Sequence, residues 1–385
     1  MKRHRGHLVP VVVLLLVLAW APTASAQSPN PLFFGLERPG KELQASSDPG
    51  VAFVGGQFLV TSSRGERLRT SPDLRSWRED QLLIADPPGW AKGGQVASSQ
   101  IYALPSSGEA YVLIFGALHK RLGKFCIGRA VSDNPFGFRA DAEPIVCGPR
   151  RGGKSLYSLK DPSLSFNLDS LFLVYKREFQ NHIIPSRRRP SDIAIRPIGN
   201  DARTGLGSHP VRLVVAERGR GEGKSVEAPT LIPYNGRFFL FYSIANYKTD
   251  SYGVSVAVSR QGPANTPMGG NYKKFDGNPI YSGRPSPSFC GVGHQDVVPP
   301  TRPGGIWRLF AHAYVVERLG TGPFNRCAPG RGQESKPKKR QLVSNPLFWD
   351  VKTNNRNFKW PRAGVNKAPT GDGVKARGTL TPPSR

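Results

Sequence analysis

One grammar repeats five times along this chain and decides its architecture. A short polar or acidic entry with Pro or Val leads into an apolar strand, a turn of Gly, Asn or Asp, and then an aromatic strand. The repeats open at Asp48, Gln100, Asp161, Glu227 and His294, at intervals of roughly 50 to 65 residues, and their aromatic runs fall at 57–61, 110–115, 171–175, 238–242 and 307–311. Each run is closed by turn-forming residues, and no dozen residues sustain a helical period. Five hairpins at this spacing fit radial repetition of four-stranded blades, so the expected fold is all-β, a five-bladed β-propeller. The segments 125–132 and 253–259 read as further blade strands. The Arg- and Pro-rich stretch 181–203 reads as a loop inserted into the third blade, and Glu334 onward as an extension.

The ends of the chain carry different signals. Lys2, Arg3 and Arg5 precede an apolar run from Val11 to Trp20 and then Ala24-Ser25-Ala26, so residues 1–26 read as a secretory signal peptide. That run is short for a bilayer span and no other stretch approaches the length required, so a secreted, extracellular protein without a membrane span is expected. The propeller is assigned to 27–350 and a basic, disordered tail to 351–385. Four cysteines, Cys126, Cys147, Cys290 and Cys327, form two pairs along the sequence and suit disulfides in an exported chain; three connectivities remain open, and the spacing is unlike that of a zinc site. There is no Asn-x-Ser/Thr acceptor for N-glycosylation.

Charge points to the partner. The formal net charge is +27, and 13 Lys/Arg stand against 3 Asp/Glu between Arg331 and Arg385. Such an excess favours association with a polyanion, here an anionic cell-wall polymer, or serves only solubility. Secretion and the absence of a binding motif argue against nucleic acid. No Gly-x-Ser-x-Gly occurs, and cysteines held in disulfides would leave no thiol nucleophile.

Three acidic residues open the inner strands of three blades: Asp48 in Ser46-Ser-Asp-Pro, Asp161 in Leu159-Lys-Asp-Pro-Ser, and Glu227 in Ser225-Val-Glu-Ala-Pro. An isolated Asp-Pro is usually only a turn. In a propeller, however, inner strands line one channel, so these three would converge. On these motifs, over about 48–314, the chain resembles glycoside hydrolase family 43, five-bladed propeller enzymes acting on arabinose- and xylose-containing polymers. Thr70-Ser-Pro-Asp-Leu-Arg-Ser-Trp77 resembles the family's first-blade closure, with Asp73 and Trp77 structural, and Val131-Ser-Asp-Asn-Pro-Phe-Gly-Phe138 the matching segment of the second blade. The resemblance implies an inverting mechanism with Asp48 as general base, Glu227 as general acid, and Asp161 orienting the acid and raising its pKa by like-charge repulsion.

Two further residues are candidates for the substrate. Trp90, in Trp90-Ala-Lys-Gly-Gly-Gln-Val where relatives carry Trp-Ala-Pro and an acid, would be either a sugar platform or a packing residue. His294, in Gly293-His-Gln-Asp-Val-Val298, resembles the family's axis-facing histidine, which would contact substrate or ligate a central cation, calcium or another, directly or through water. The chemistry itself requires no cofactor. His312 reads as a satisfied blade histidine, and strand alternation would point Lys160 away from the channel. A monomer acting on a polysaccharide is expected. The competing readings are a non-catalytic carbohydrate-binding propeller and a fructan-active propeller hydrolase. Lys-Asp-Pro and Glu-Ala-Pro speak against the latter, and the single, Gly-less Ser71-Pro-Asp-Leu-Arg-Ser-Trp against a sialidase.

Overall fold

The computed structural model describes residues 30–33 and most of 46–350; the principal stretches outside it within that range are 105–109, 180–188, 260–266, 283–288 and 316–339. The expected leader 1–26 and tail 351–385 therefore lie outside the described residues, as does Cys327.

Five sheets form the blades of the expected five-bladed β-propeller, antiparallel throughout except where Phe138–Ala140 pairs parallel with Ile84–Asp86 in blade two. Their inner strands are Gly50–Val54, Ala97–Ala103, Tyr157–Asn167, Val226–Tyr234 and Phe289–Val298. Each is followed by the aromatic strand of its hairpin, Gln57–Thr61, Tyr111–Leu118, Ser170–Phe179, Arg237–Ile244 and Trp307–Val315. The expected strands Phe125–Ser132 and Gly253–Ser259 are third strands of blades two and four.

The core is five cores, one at each junction between blades. In the fourth blade Phe238, Leu240 and Tyr242 join Phe172, Val174 and Ile195 of blade three, whereas Phe239 and Phe241 join Val292, Val297 and Leu309 of blade five. Blades two and three meet through Ile114 and Leu173, blades one and two through Leu59 and Leu113, and blades five and one through Phe310 and Phe58. Both faces of each sheet are therefore buried, which explains why these strands are continuous apolar runs rather than alternating ones. Fully burying one such Phe or Leu contributes about 1.5–3 kcal/mol.

The ring closes through the chain's beginning. Asn30–Phe33 pairs antiparallel with Arg340–Asp350, so blade five reads, from inside outward, Phe289–Val298, Trp307–Val315, Arg340–Asp350 and Asn30–Phe33. This corrects the reading of Glu334 onward as an extension: residues 340–350 are the third strand of a blade. A second correction concerns the supposed loop 181–203, which contains Asp192–Ile198, the third strand of blade three. The Arg/Pro cluster at its start obscured a strand whose Ile193, Ala194 and Ile195 are fully buried. The pair Cys126–Cys147 forms a disulfide that ties a blade-two strand to the loop after that blade.

Candidate active site

A backbone device recurs at the mouth of the channel. One non-glycine residue per blade takes the left-handed conformation at or just before the inner strand: Asp48 at φ 54°, Ser98 at 49°, Asp161 at 51°, Ala228 at 50° and His294 at 53°. Side chains pay sterically for that conformation, and such outliers concentrate at functional sites. In blades two to five the device coincides with a break in strand register, as between Lys160 and Ser163 and between Glu227 and Thr230. A bulge re-aims the side chains that flank it. Asp48, Asp161, Glu227 and His294 consequently line one cavity of about 280 Å³.

Asp48 is held as a carboxylate. Its Oδ1 lies 2.8 Å from Arg340 Nη1 and 3.4 Å from His294 Nδ1. Burial alone would raise its pKa, but His294, Arg340, His312 and a Ser63 hydrogen bond together hold it well below the usual carboxylate range. Beneath it His312 is fully buried, and its Nδ1 accepts the Asp48 backbone N–H at 3.1 Å. Burial and the Arg340 charge push the His312 pKa well down, so the ring is neutral. It stacks on His294 at 5.8 Å and on Tyr252 at 5.7 Å. His312 is thus a satisfied blade histidine and also the floor of the Asp48 site.

Glu227 has a different environment. Its Oε2 accepts from Lys176 Nζ at 2.8 Å and its Oε1 from the Tyr252 hydroxyl at 2.6 Å. Burial favours the neutral acid, but Lys176, the Tyr252 hydrogen bond and His294 outweigh it, and the pKa is lowered. The net direction is opposite to the elevation expected from Asp161. A buried ammonium in direct contact prevails over a carboxylate whose own oxygens are engaged elsewhere: Asp161 Oδ1 accepts from Ser98 Oγ at 2.9 Å, and Oδ2 from the Ala228 N–H at 3.2 Å. Through the Ala228 N–H, Asp161 anchors the backbone beside Glu227. Gly293 lets the Tyr252 ring approach, since a Cβ there would stand 2.2 Å from the ring.

Trp90 is not at this site. It is 4 % exposed in the core between blades one and two, stacked on Phe115 at 6.1 Å, and offers no face to a sugar. Lys160 is the opposite case. The bulge at Asp161 breaks the alternation that would have turned it outward; it lines the cavity and pairs with Glu178 Oε2 at 2.5 Å, its ammonium 5.0 Å from the Phe125 ring. As to a central cation, among the described residues no three His, Cys, Asp or Glu side chains are grouped as metal ligands, and the Arg340 guanidinium already neutralises Asp48 beside His294. The donor set does not fit a directly bound metal.

Sequence reasoning missed Lys176, Tyr252, Arg340 and Ser98. Lys176 ends an apolar run in Val174-Tyr-Lys-Arg-Glu178, where charges inside a buried strand are themselves a signal. Ser98 escaped because the second inner strand begins at Ala97, ahead of the Gln100 from which the repeat was read.

Asp73 closes the first-blade turn, its Oδ1 accepting the N–H groups of Arg75 and Ser76 at 2.8 Å, and Trp77 packs on the core between blades one and five. These are the structural roles expected of them.

Residues 43–350 match the model of the family described as glycosyl hydrolases family 43. Among solved structures, a thermostable family-43 glycoside hydrolase superposes with a TM-score of 0.62 at 20% identity, covering 86% of this chain and 98% of the other. An endo-1,4-beta-xylanase from Bacteroides thetaiotaomicron superposes at 0.57 and 21% identity, covering 80% and 92%. An alpha-L-arabinofuranosidase from Lactobacillus brevis gives 0.59 at 17% identity, covering 80% and 93%. Comparison with curated protein sequences gives no match. The chain belongs to glycosyl hydrolase family 43 and is a glycoside hydrolase.

Proposed function

We propose that the protein is a secreted hydrolase that cleaves arabinose- or xylose-containing polysaccharide with inversion, Asp48 acting as general base and Glu227 as general acid. The observation that carries this reading is that Asp48 and Glu227, from blades one and four, wall the same cavity in unlike surroundings. Inverting hydrolysis needs one carboxylate to take a proton from water and one carboxylic acid to protonate the leaving oxygen, with space for water between. Asp48, kept ionised beside Arg340 and His294, suits the base. Glu227, half-buried and oriented by two hydrogen bonds, suits the acid once protonated. Asp161 is a positioning residue in this scheme, acting through the Ala228 backbone. The substrate class follows the family and the neighbours whose names are xylanase and arabinofuranosidase. Export is supported by the leader-like sequence of residues 1–26 and the Cys126–Cys147 disulfide.

The test is sugar release from arabinan, arabinoxylan, xylan, galactan and levan by the mature protein and by its Glu227→Gln and Asp48→Asn variants, with the anomer followed by NMR. Release from a pentosan, as the inverted anomer, that falls by about 10³-fold or more in either variant is expected. Binding to polysaccharide without release would instead make the propeller a binding module.

A further inference from the structure

A second cavity, of about 690 Å³, opens beside Glu227 between blades three and four, and its charges do not balance. Its two carboxylates are already engaged. Glu227 holds Lys176, and Glu178 holds Lys160 at 2.5 Å and faces Lys176 at 3.6 Å. Two further cations, Arg189 and Lys224, stand on the wall, and Glu178 and Glu227 are the only carboxylates among the described residues that line it. Arg189 is exposed and its guanidinium lies 4.6 Å from the centre of the Phe179 ring, a cation–π contact that does not itself use up the N–H donors. Lys224 is half-buried. A neutral pentose has no group that would call for two further cations.

The cavity's position says which part of a substrate reaches it. It shares Glu227 with the catalytic cavity but not Asp48 or Asp161. The acid contacts the glycosidic oxygen, so space that continues past the acid, away from the base, belongs to the leaving part of the chain.

We infer that this cavity receives a hexuronate on the leaving-group side of the scissile bond, its carboxylate bound by Arg189 and Lys224. This rests on the hydrolase reading above and narrows its substrate to pentosans that carry acidic sugars. The general charge of +27 draws a polyanion to the surface, but it selects no residue of it. A guanidinium and an ammonium lining one cavity beside Glu227 do.

Binding tests this separately from turnover. The Glu227→Gln protein is titrated calorimetrically with a glucuronate-bearing arabinoxylo-oligosaccharide and with an arabinose-bearing oligogalacturonide, each beside its carboxyl-reduced form. At least one acidic probe is expected to bind about tenfold more tightly than its reduced counterpart, and the probe that does so identifies the uronate as glucuronate or galacturonate. Adding Arg189→Gln and Lys224→Gln should erase the preference. Adding Arg139→Gln and Arg212→Gln instead removes the same charge from exposed outer strands and should keep it. Equal affinity for acidic and reduced probes, no binding of any probe, or equal loss in both charge-deleted proteins overturns the inference. Glu227-dependent release from a neutral pentosan by the wild type would stand unaffected by any of these.

Discussion

Lys176, on the second strand of blade three, donates a 2.8 Å hydrogen bond to Glu227, on the inner strand of blade four. The ammonium is buried, and although burial would discharge it, Glu227, Glu178 and Asp161 hold its pKa above the ordinary lysine value. The candidate acid of the free enzyme therefore sits against a permanent positive charge. Glu227 takes up its proton only below the usual glutamate range, and His294 and Arg340 hold Asp48 ionised below the usual carboxylate range, so the two groups favour work in acid.

Hydrolysis should accordingly be fastest below neutrality, with kcat/KM falling as pH rises and Glu227 loses its proton. Lys176→Met removes the charge that lowers the Glu227 pKa, so the alkaline limb of the pH profile should move to higher pH. The maximum should drop about tenfold, because the carboxyl loses an orienting bond. A limb that stays in place in this variant would mean that Lys176 does not govern the acid.

Arg340→Gln should act on the other limb. The guanidinium is one of the groups that depress the Asp48 pKa, second to His294 among the opposing charges. A carboxylate whose pKa is depressed is ionised down to low pH, so without Arg340 the base protonates earlier and the acid limb of kcat/KM moves to higher pH. The alkaline limb, set by Glu227, should not move. Profiles of the two variants side by side would therefore narrow the active range from below with Arg340→Gln and extend it from above with Lys176→Met.

Much of this was legible in the sequence, for physical reasons that also explain the rest. Blade strands such as Phe238-Phe-Leu-Phe-Tyr242 announce themselves because both sheet faces are buried, and turn residues mark their ends. The period gave the architecture, and the three acids stood out because each opens a repeat. What stayed hidden was set by tertiary pairing. Asp192–Ile198 is a strand by virtue of its register with Ser170–Phe179, although an Arg/Pro cluster precedes it. Arg340 reaches Asp48 from 292 residues away. Lys160 was misplaced because alternation fails at a left-handed residue, Asp161, that no local signal marks in a non-glycine position.

The Cys126–Cys147 disulfide closes a loop with a sequence separation of 21, and Cys126 is fully buried in the core between blades one and two. A closure of that size stabilises by about 3 kcal/mol, chiefly by restricting the unfolded chain. Replacing both cysteines by serine should lower the unfolding free energy by at least that amount, measured by denaturant titration. Because Cys126→Ser would also bring a hydroxyl into an apolar core, the Cys126→Ala/Cys147→Ser pair should lose less. Identical losses would point away from burial of the hydroxyl.

Asp296 joins the first and last blades. It is 6 % exposed, and its carboxylate accepts the N–H groups of Val51 in blade one and Val297 in blade five, each at 2.8 Å. Burial pushes its pKa up to about 6, against the lowering effect of those two hydrogen bonds, His294 and Thr230. The sign of the linkage follows from the elevation. A carboxyl with a folded pKa above its unfolded value of about 3.8 contributes its full stability below pH 4, and that contribution declines as pH rises through 6. The loss is about 3 kcal/mol for an elevation of roughly two. Asp296→Asn does not titrate, but its amide can satisfy only one of the two N–H donors, so the variant should be the less stable protein in acid. As pH rises from 4 to 7 the difference should shrink or reverse, since only the wild type must then hold a buried charge. Unfolding free energies of both proteins across that range would show it, and parallel curves would mean that Asp296 titrates normally at the closure of the ring.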